Sequence, residues 1–187
     1  MYQLPTSVEI GGLIYEIRSD FRVVLDIMTA MNDPELTQQE KAIVLLELFY
    51  PDIASMPPEF WQDAVNECIL FINGGNEEDR KTKQPKLVCW EQDFQYIVSP
   101  INKVIGKEIR AMDYLHWWTF LAAFLEIGDC TFAQIVRIRE RKATGKTLDK
   151  QDREWYRKNQ RLVDIKTVYT DAEKDILEKW GGARNGG

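Results

Sequence analysis

Histidine is almost absent from this 187-residue chain, and cysteine is scarce. His116 is the single imidazole, so a Ser-His-Asp or Cys-His arrangement would have to run through it. Its neighbours Leu115, Trp117 and Trp118 suggest a packed helix rather than an open cleft. Cys68, Cys89 and Cys130 are far apart, odd in number and without a C-x-x-C spacing. That argues against a disulfide framework and against the grouped soft ligands of a structural zinc site, and it reads as reduced thiols. Neither G-x-G-x-x-G nor G-x-x-x-x-G-K-[ST] occurs. The G-K-T triplet in Ala143–Thr147 lacks the motif's upstream glycine and has no strand before it. Glu91 and Asp93 lie two apart, a spacing that does not share a helix face, and Glu77-Glu-Asp79 reads as a solvated acidic loop. Long apolar runs are missing as well. The most hydrophobic stretch, Tyr114–Ile127, falls short of the roughly 20 residues a membrane span needs. Met1–Gly12 has no basic start followed by an apolar run, so no signal peptide and a cytoplasmic protein are expected. These absences leave no expected catalytic, cofactor or metal site. They point to a protein that binds another protein.

What is present is an ordinary globular composition, 44% hydrophobic and 29% charged, enough to bury a core. The net charge of -6 is unevenly spread. Residues 1–129 carry 10 Lys/Arg against 21 Asp/Glu, whereas residues 130–187 carry 14 against 9. An acidic body with a basic C-terminal third is electrostatically polar, through compensation within the fold or attraction between copies.

Alternation around Gly11-Gly12, with Val8 and Ile10 before it and Leu13, Tyr15 and Ile17 after it, predicts a hairpin. Helical spacing follows through Phe21, Val24, Leu25 and Met28 after Ser19-Asp20, closed by Asn32-Asp33-Pro34. Thr37 and Glu40 form a capping-box pattern before a second helix, Ala42–Phe49. Pro57-Pro58 opens a third helix with the stripe Phe60, Ala64, Val65, Cys68, Ile69 and Ile72, ended by Gly74-Gly75. Residues 74–86 have no large apolar side chain and read as a surface loop. Helical spacing resumes over Trp90–Val104, where Pro100 should kink or divide the helix. Asp113–Ile127 reads as a central helix apolar almost all round. Gly128 ends it, and Thr131 can cap the next helix, with Phe132, Ile135, Val136 and Ile138. Beyond Gly145, Leu148–Leu162 predicts a polar helix held by Trp155, Tyr156 and Leu162, and the Gly181–Gly187 end reads as flexible. The expected fold is mainly α: a compact bundle of about six to eight helices with a small N-terminal β-hairpin. Residues 1–145 form the helical core domain, and 146–187 a polar, basic extension with a tail. Its expected core is Phe21, Leu25, Leu45, Leu48, Phe49, Trp61, Val65, Ile69, Phe94, Ile97, Ile101, Leu115, Trp118, Leu121, Phe124, Leu125 and Ile135.

Two groups of residues are the candidates for partner binding. Trp90, His116, Trp117 and Trp118 form an aromatic set. Trp117 and Trp118 point about 100° apart on a helix, so one can face the core and the other a second layer or a partner, unless both pack inside. The basic run supplies Arg137, Arg139, Arg141 and Lys142. Interleaved Glu140, Asp149, Asp152 and Glu154 favour ion pairs or an acidic protein partner over nucleic acid.

Three segments carry a resemblance. They are Leu4–Gly12 with Tyr15–Arg22, then Leu45–Asp52, then Trp90–Asp93 through Ile101-Asn-Lys103 and Glu108-Ile-Arg110 to Tyr114-Leu-His-Trp-Trp-Thr-Phe120, ending at Ile138-Arg139. Together they resemble the gene-product-fifteen family of tailed phages and prophages of Gram-positive bacteria, over roughly residues 4–160. The resemblance implies the role of a tail assembly chaperone, coating the long tape-measure protein in the host cytoplasm until tube subunits polymerise around it. It carries no catalytic residues. The implied partners are the tape-measure protein, further copies of the chain and the tail-tube protein, with a host immune sensor as another class; neither nucleic acid nor membrane is among them. A minor tail-completion or connector protein retained in the virion is the structural alternative, and a hydrolase using His116 is the enzymatic one.

Overall fold

The computed structural model describes residues 3–77 and 85–166. Two strands, β1 (Ser7–Ile10) and β2 (Leu13–Glu16), pair antiparallel with Ile10 opposite Leu13, which leaves Gly11-Gly12 as a two-residue turn. Both glycines have positive φ, +59° and +79°, the conformation this tight hairpin turn demands. Among the described residues eight helices follow. They are α1 (Phe21–Asn32), α2 (Gln38–Phe49), α3 (Trp61–Ile72), α4 (Trp90–Ile105), α5 (Trp117–Leu125), α6 (Thr131–Ala143), α7 (Lys150–Lys158) and α8 (Gln160–Val163). The mainly helical class with a small N-terminal hairpin is as the sequence predicts.

Local chemistry sets several boundaries. Asp20 caps α1 by accepting from the Arg22 amide at 2.9 Å. Thr37 and Glu40 close a full capping box at the start of α2. A 3₁₀ turn, Pro58–Phe60, leads into α3 with proline in its first turn. Pro100 neither divides nor ends α4, which runs on to a left-handed Gly106 at its C-terminus. The cap of α6 is Cys130, not Thr131: its Sγ accepts from the Ala133 amide at 3.4 Å.

The predicted central helix is shorter than expected. Residues 113–116 do not continue it, because their backbone is used in a bridge between Asp20 and His116. Phe21 donates to the Leu115 carbonyl at 2.9 Å, Trp117 donates to the Ser19 carbonyl at 2.7 Å, and the Leu115 amide reaches the Asp20 carboxylate at 3.0 Å. The helix begins only where His116 caps it.

One hydrophobic core joins the hairpin, α1 to α5 and Phe132 of α6. Phe21 stacks on Phe120 at 4.8 Å, and Phe49 meets Phe71 at 5.2 Å. An aromatic side chain buries roughly 150–250 Å². At about 25 cal/mol per Å² each ring then contributes about 4–6 kcal/mol before entropy is subtracted. A second, smaller cluster is built on Ile135, Ile138 and Val163, with Leu148, Trp155, Tyr156 and Leu162 around it. Through it residues 148–163 pack back on α6. The Gly181–Gly187 end and residues 78–84 of the predicted loop lie outside the described residues.

Three expected core residues are at the surface. Leu125 is 74% exposed because α5 ends there. On α3 the buried stripe is Ala64, Cys68 and Phe71. Ile69 lies about 100° round from Cys68, and Trp61 stands at the start of the helix with its indole N–H on the Met56 carbonyl.

Candidate functional site

The aromatic set divides by depth. Trp117 is fully buried; its indole N–H donates to the Ile72 carbonyl at 2.8 Å, and its ring stacks on Phe120 at 5.5 Å. Trp118 is half-buried, donating to the Phe71 carbonyl at 2.9 Å and lying over the Phe71 ring. His116 is buried with both ring nitrogens engaged. Nδ1 accepts from the Trp118 amide at 3.0 Å, so Nε2 carries the proton and donates to the Pro5 carbonyl at 2.9 Å. The imidazole pins the N-terminal segment to the start of α5. Neither His116 nor Trp117 is available to a partner, a correction to the sequence reading. The adjacent apolar rings and the bridge to Asp20 draw both inward.

In the basic run Arg139 alone is drawn inward in the same way, whereas Arg137 and Lys142 stay exposed and Arg141 partly so. Arg139 is buried and forms a two-pronged ion pair with fully buried Asp93, at 2.5 and 2.9 Å. It also donates to the carbonyls of Leu87, Leu162 and Val163. Asp93 Oδ2 in turn accepts from the Cys89 amide at 2.8 Å, capping α4 from within. Arg137 pairs with Asp152 at 2.8 Å, Arg141 donates to the Thr147 carbonyl, and Lys142 contacts both Asp164 and the Tyr156 hydroxyl at 2.5 Å. Thus Arg137 and Lys142 pair within the basic third itself, while Arg139 ties that third to the acidic body. These side chains hold α6, α7 and α8 together. Burial weighs against charge on both Lys142 and Asp164, yet their mutual hydrogen bond, with Tyr156, still raises the lysine pKa and lowers the aspartate pKa.

Trp90 is the member of the aromatic set that lines a groove. It opens α4, with its ring 4.9 Å from Phe124 and 6.1 Å from Trp117. Two adjoining depressions share Thr29, Trp90 and Glu91. One, of about 340 Å³, is floored by Phe21, Leu25, Trp90 and Phe94, and rimmed by Arg22, Asp26, Glu91 and Arg110. The other, of about 540 Å³, continues past Met28 and Asn32 to Lys86, Ile165 and Lys166. The groove therefore runs along the length of α1, roughly 18 Å for 12 residues. Its origin is legible in α1. Phe21, Val24 and Ile27 face the core, but the apolar arc also includes Leu25 and Met28, which are only half-buried. An arc wider than one core-facing stripe leaves an apolar flank in solvent. Leu25 and Phe94 were expected in the core, Arg110 entered the sequence reading only within the Glu108-Ile-Arg110 run of the resemblance, and Thr29 carried no signal in the sequence.

Among the described residues no cluster of three or more His, Cys, Asp or Glu could hold a metal ion, and no helix is long and apolar enough to cross a membrane. Among the same residues, no buried side-chain nitrogen or oxygen lacks a hydrogen-bond partner.

Fold and groove together define a small helical protein with an N-terminal hairpin and one long apolar-floored groove. The family model for the bacteriophage Gp15 protein matches residues 1–165, and the chain belongs to that family. Membership makes it a phage protein of the structural and assembly class. No curated protein and no solved structure matches it.

Proposed function

We propose that this protein is a tail assembly chaperone, non-catalytic, that binds the tape-measure protein in the host cytoplasm and keeps it soluble while the tail tube forms. The α1–α4 groove carries the reading. It is apolar along its floor, charged along its rim and as long as three helical turns, which suits the amphipathic helices of a long helical client. Weak binding at each of many sites lets tube subunits displace the chaperone, and several copies on one client still give avidity. Further copies of the chain and the tail-tube protein are the other partners in this scheme. The engaged nitrogens of His116 support the non-catalytic reading.

Co-expression with the tape-measure protein of the same phage, followed by pull-down and light scattering, tests this. A soluble complex with several copies of the chain per client is expected, as is absence of the chain from purified virions by mass spectrometry. No complex, together with the chain in finished tails, would replace this reading with that of a tail-completion or connector protein.

A further inference from the structure

Two depressions along α3 join into one furrow, since Asn66 and Glu67 line both. One, of about 250 Å³, lies between α3 and the hairpin and carries Glu9 and Asp63. The other, of about 390 Å³, continues past Leu70 to Glu77 beyond the end of the helix. Ala64, Cys68 and Phe71 turn to the core, which leaves Asp63, Asn66, Glu67 and Leu70 on the flank of α3 that forms the furrow. Four carboxylates therefore line it and, among the described residues, no lysine or arginine does. None of the four forms an ion pair with a described cation. A surface of one sign without counter-ions favours a basic partner.

The same chain carries the complement. On α7, Asp152 is buried against Arg137, and Trp155 and Tyr156 pack into the smaller cluster with α6 and α8. The opposite face of α7 presents Lys150, Arg153, Arg157 and Lys158 to solvent, with Glu154 the one anion among them. Lys150, Arg153 and Arg157, at spacings of three and four, share a side. Nine residues make α7 about 14 Å long, which fits a furrow beside the roughly 18 Å of α3. Within one chain the two surfaces stand apart, α3 packing on α2 and β1, and α7 on α8.

We propose that the α3 furrow of one copy receives the basic face of α7 of the next. The contact joins two different patches, so each copy keeps a furrow or an α7 face for a further neighbour. Exposed ion pairs are weak one by one, and the contact is accordingly reversible and salt-sensitive. The inference concerns the chain alone and does not depend on what occupies the α1–α4 groove, so its failure would leave that reading standing.

The test is sedimentation velocity of the full chain over a hundredfold concentration range, at low and at high salt. It compares the native chain with two charge-reversed variants, Glu9→Lys/Asp63→Lys/Glu77→Lys in the furrow and Lys150→Glu/Arg153→Glu/Arg157→Glu on α7. All six positions are exposed, and far-UV circular dichroism with thermal melts checks the fold of each variant. The native chain should form species of at least twice the monomer mass at low salt and return to monomer at high salt. Each variant alone should stay monomeric, and an equimolar mixture of the two should associate again, because each then offers the charge the other needs. A native chain that is monomeric throughout overturns the proposal. So does association that either variant retains, or a mixture that stays monomeric. Should a triple variant lose its fold, the double variants Glu9→Lys/Asp63→Lys and Arg153→Glu/Arg157→Glu replace the two under the same criteria.

Discussion

Replacing Asp93 by asparagine keeps the shape of the side chain and removes its charge, leaving Arg139 buried without its counter-ion. Breaking a buried pair in this way typically costs about 3–5 kcal/mol. The lower end applies here, because Arg139 still donates to the carbonyls of Leu87, Leu162 and Val163. A loss of about 3 kcal/mol in a chain of this size lowers Tm by about 6–12 °C. Arg139→Met should cost more, since it strands three carbonyls as well as a buried carboxylate. The double variant Asp93→Leu/Arg139→Met should recover part of the loss, because it removes both charges from a buried site while the three carbonyls and the Cys89 amide stay unpartnered. Urea unfolding of the three variants gives the ordering. A loss under 1 kcal/mol for Asp93→Asn, or a double variant as unstable as Arg139→Met, would refute the view that this pair joins the basic third to the body.

Three further outcomes are expected. Gly11→Ala should destabilise more than Gly12→Ala in thermal melts: φ is positive at both, but a Cβ at Gly11 would sit 2.5 Å from the Phe60 ring, whereas at Gly12 it meets nothing within 4 Å. In the native chain at pH 7 a maleimide should label half-buried Cys89 and Cys130 well before Cys68, whose thiol is pushed up by burial, with Cys68 reacting only on unfolding. The Glu108 carboxyl accepts from the Arg110 guanidinium and then its backbone amide, which holds its pKa down at about 2 against the usual 4.5. Its ionised form is thus favoured in the folded chain. The stabilising contact is present above pH 4.5 and lost as pH falls through about 2, so an NMR titration of that carboxyl should show its midpoint there.

Where structure is written in neighbouring residues, the sequence is a sufficient guide. The Gly11-Gly12 turn, the Thr37–Glu40 capping box and the Gly74-Gly75 stop all depend on side chains or φ values within a few positions. Family membership was legible for the same reason, in runs such as Tyr114–Phe120. The departures come from partners distant in sequence. Residues 113–116 have helical composition, but Ser19 and Asp20 take their backbone groups across 95 positions. Arg139 reads as part of a basic surface until Asp93, 46 positions away, is seen beside it. The groove was half legible: Trp90 was a candidate from the start. Leu25 and Phe94 were assigned to the core because spacing shows which residues share a helix face, not whether a neighbour covers it.

The central claim is that the α1–α4 groove receives a helical client. Thr29 is exposed and lines both depressions, so Thr29→Arg narrows the groove at its middle at little cost to folding. The decisive measurement is the amount of tape-measure protein kept soluble on co-expression with the native chain and with Thr29→Arg, alongside the Tm of each purified chain. The account predicts a several-fold fall in soluble tape-measure protein with Tm unchanged within about 2 °C, as for a surface change of under 0.5 kcal/mol. Equal solubilisation by the two chains would contradict it.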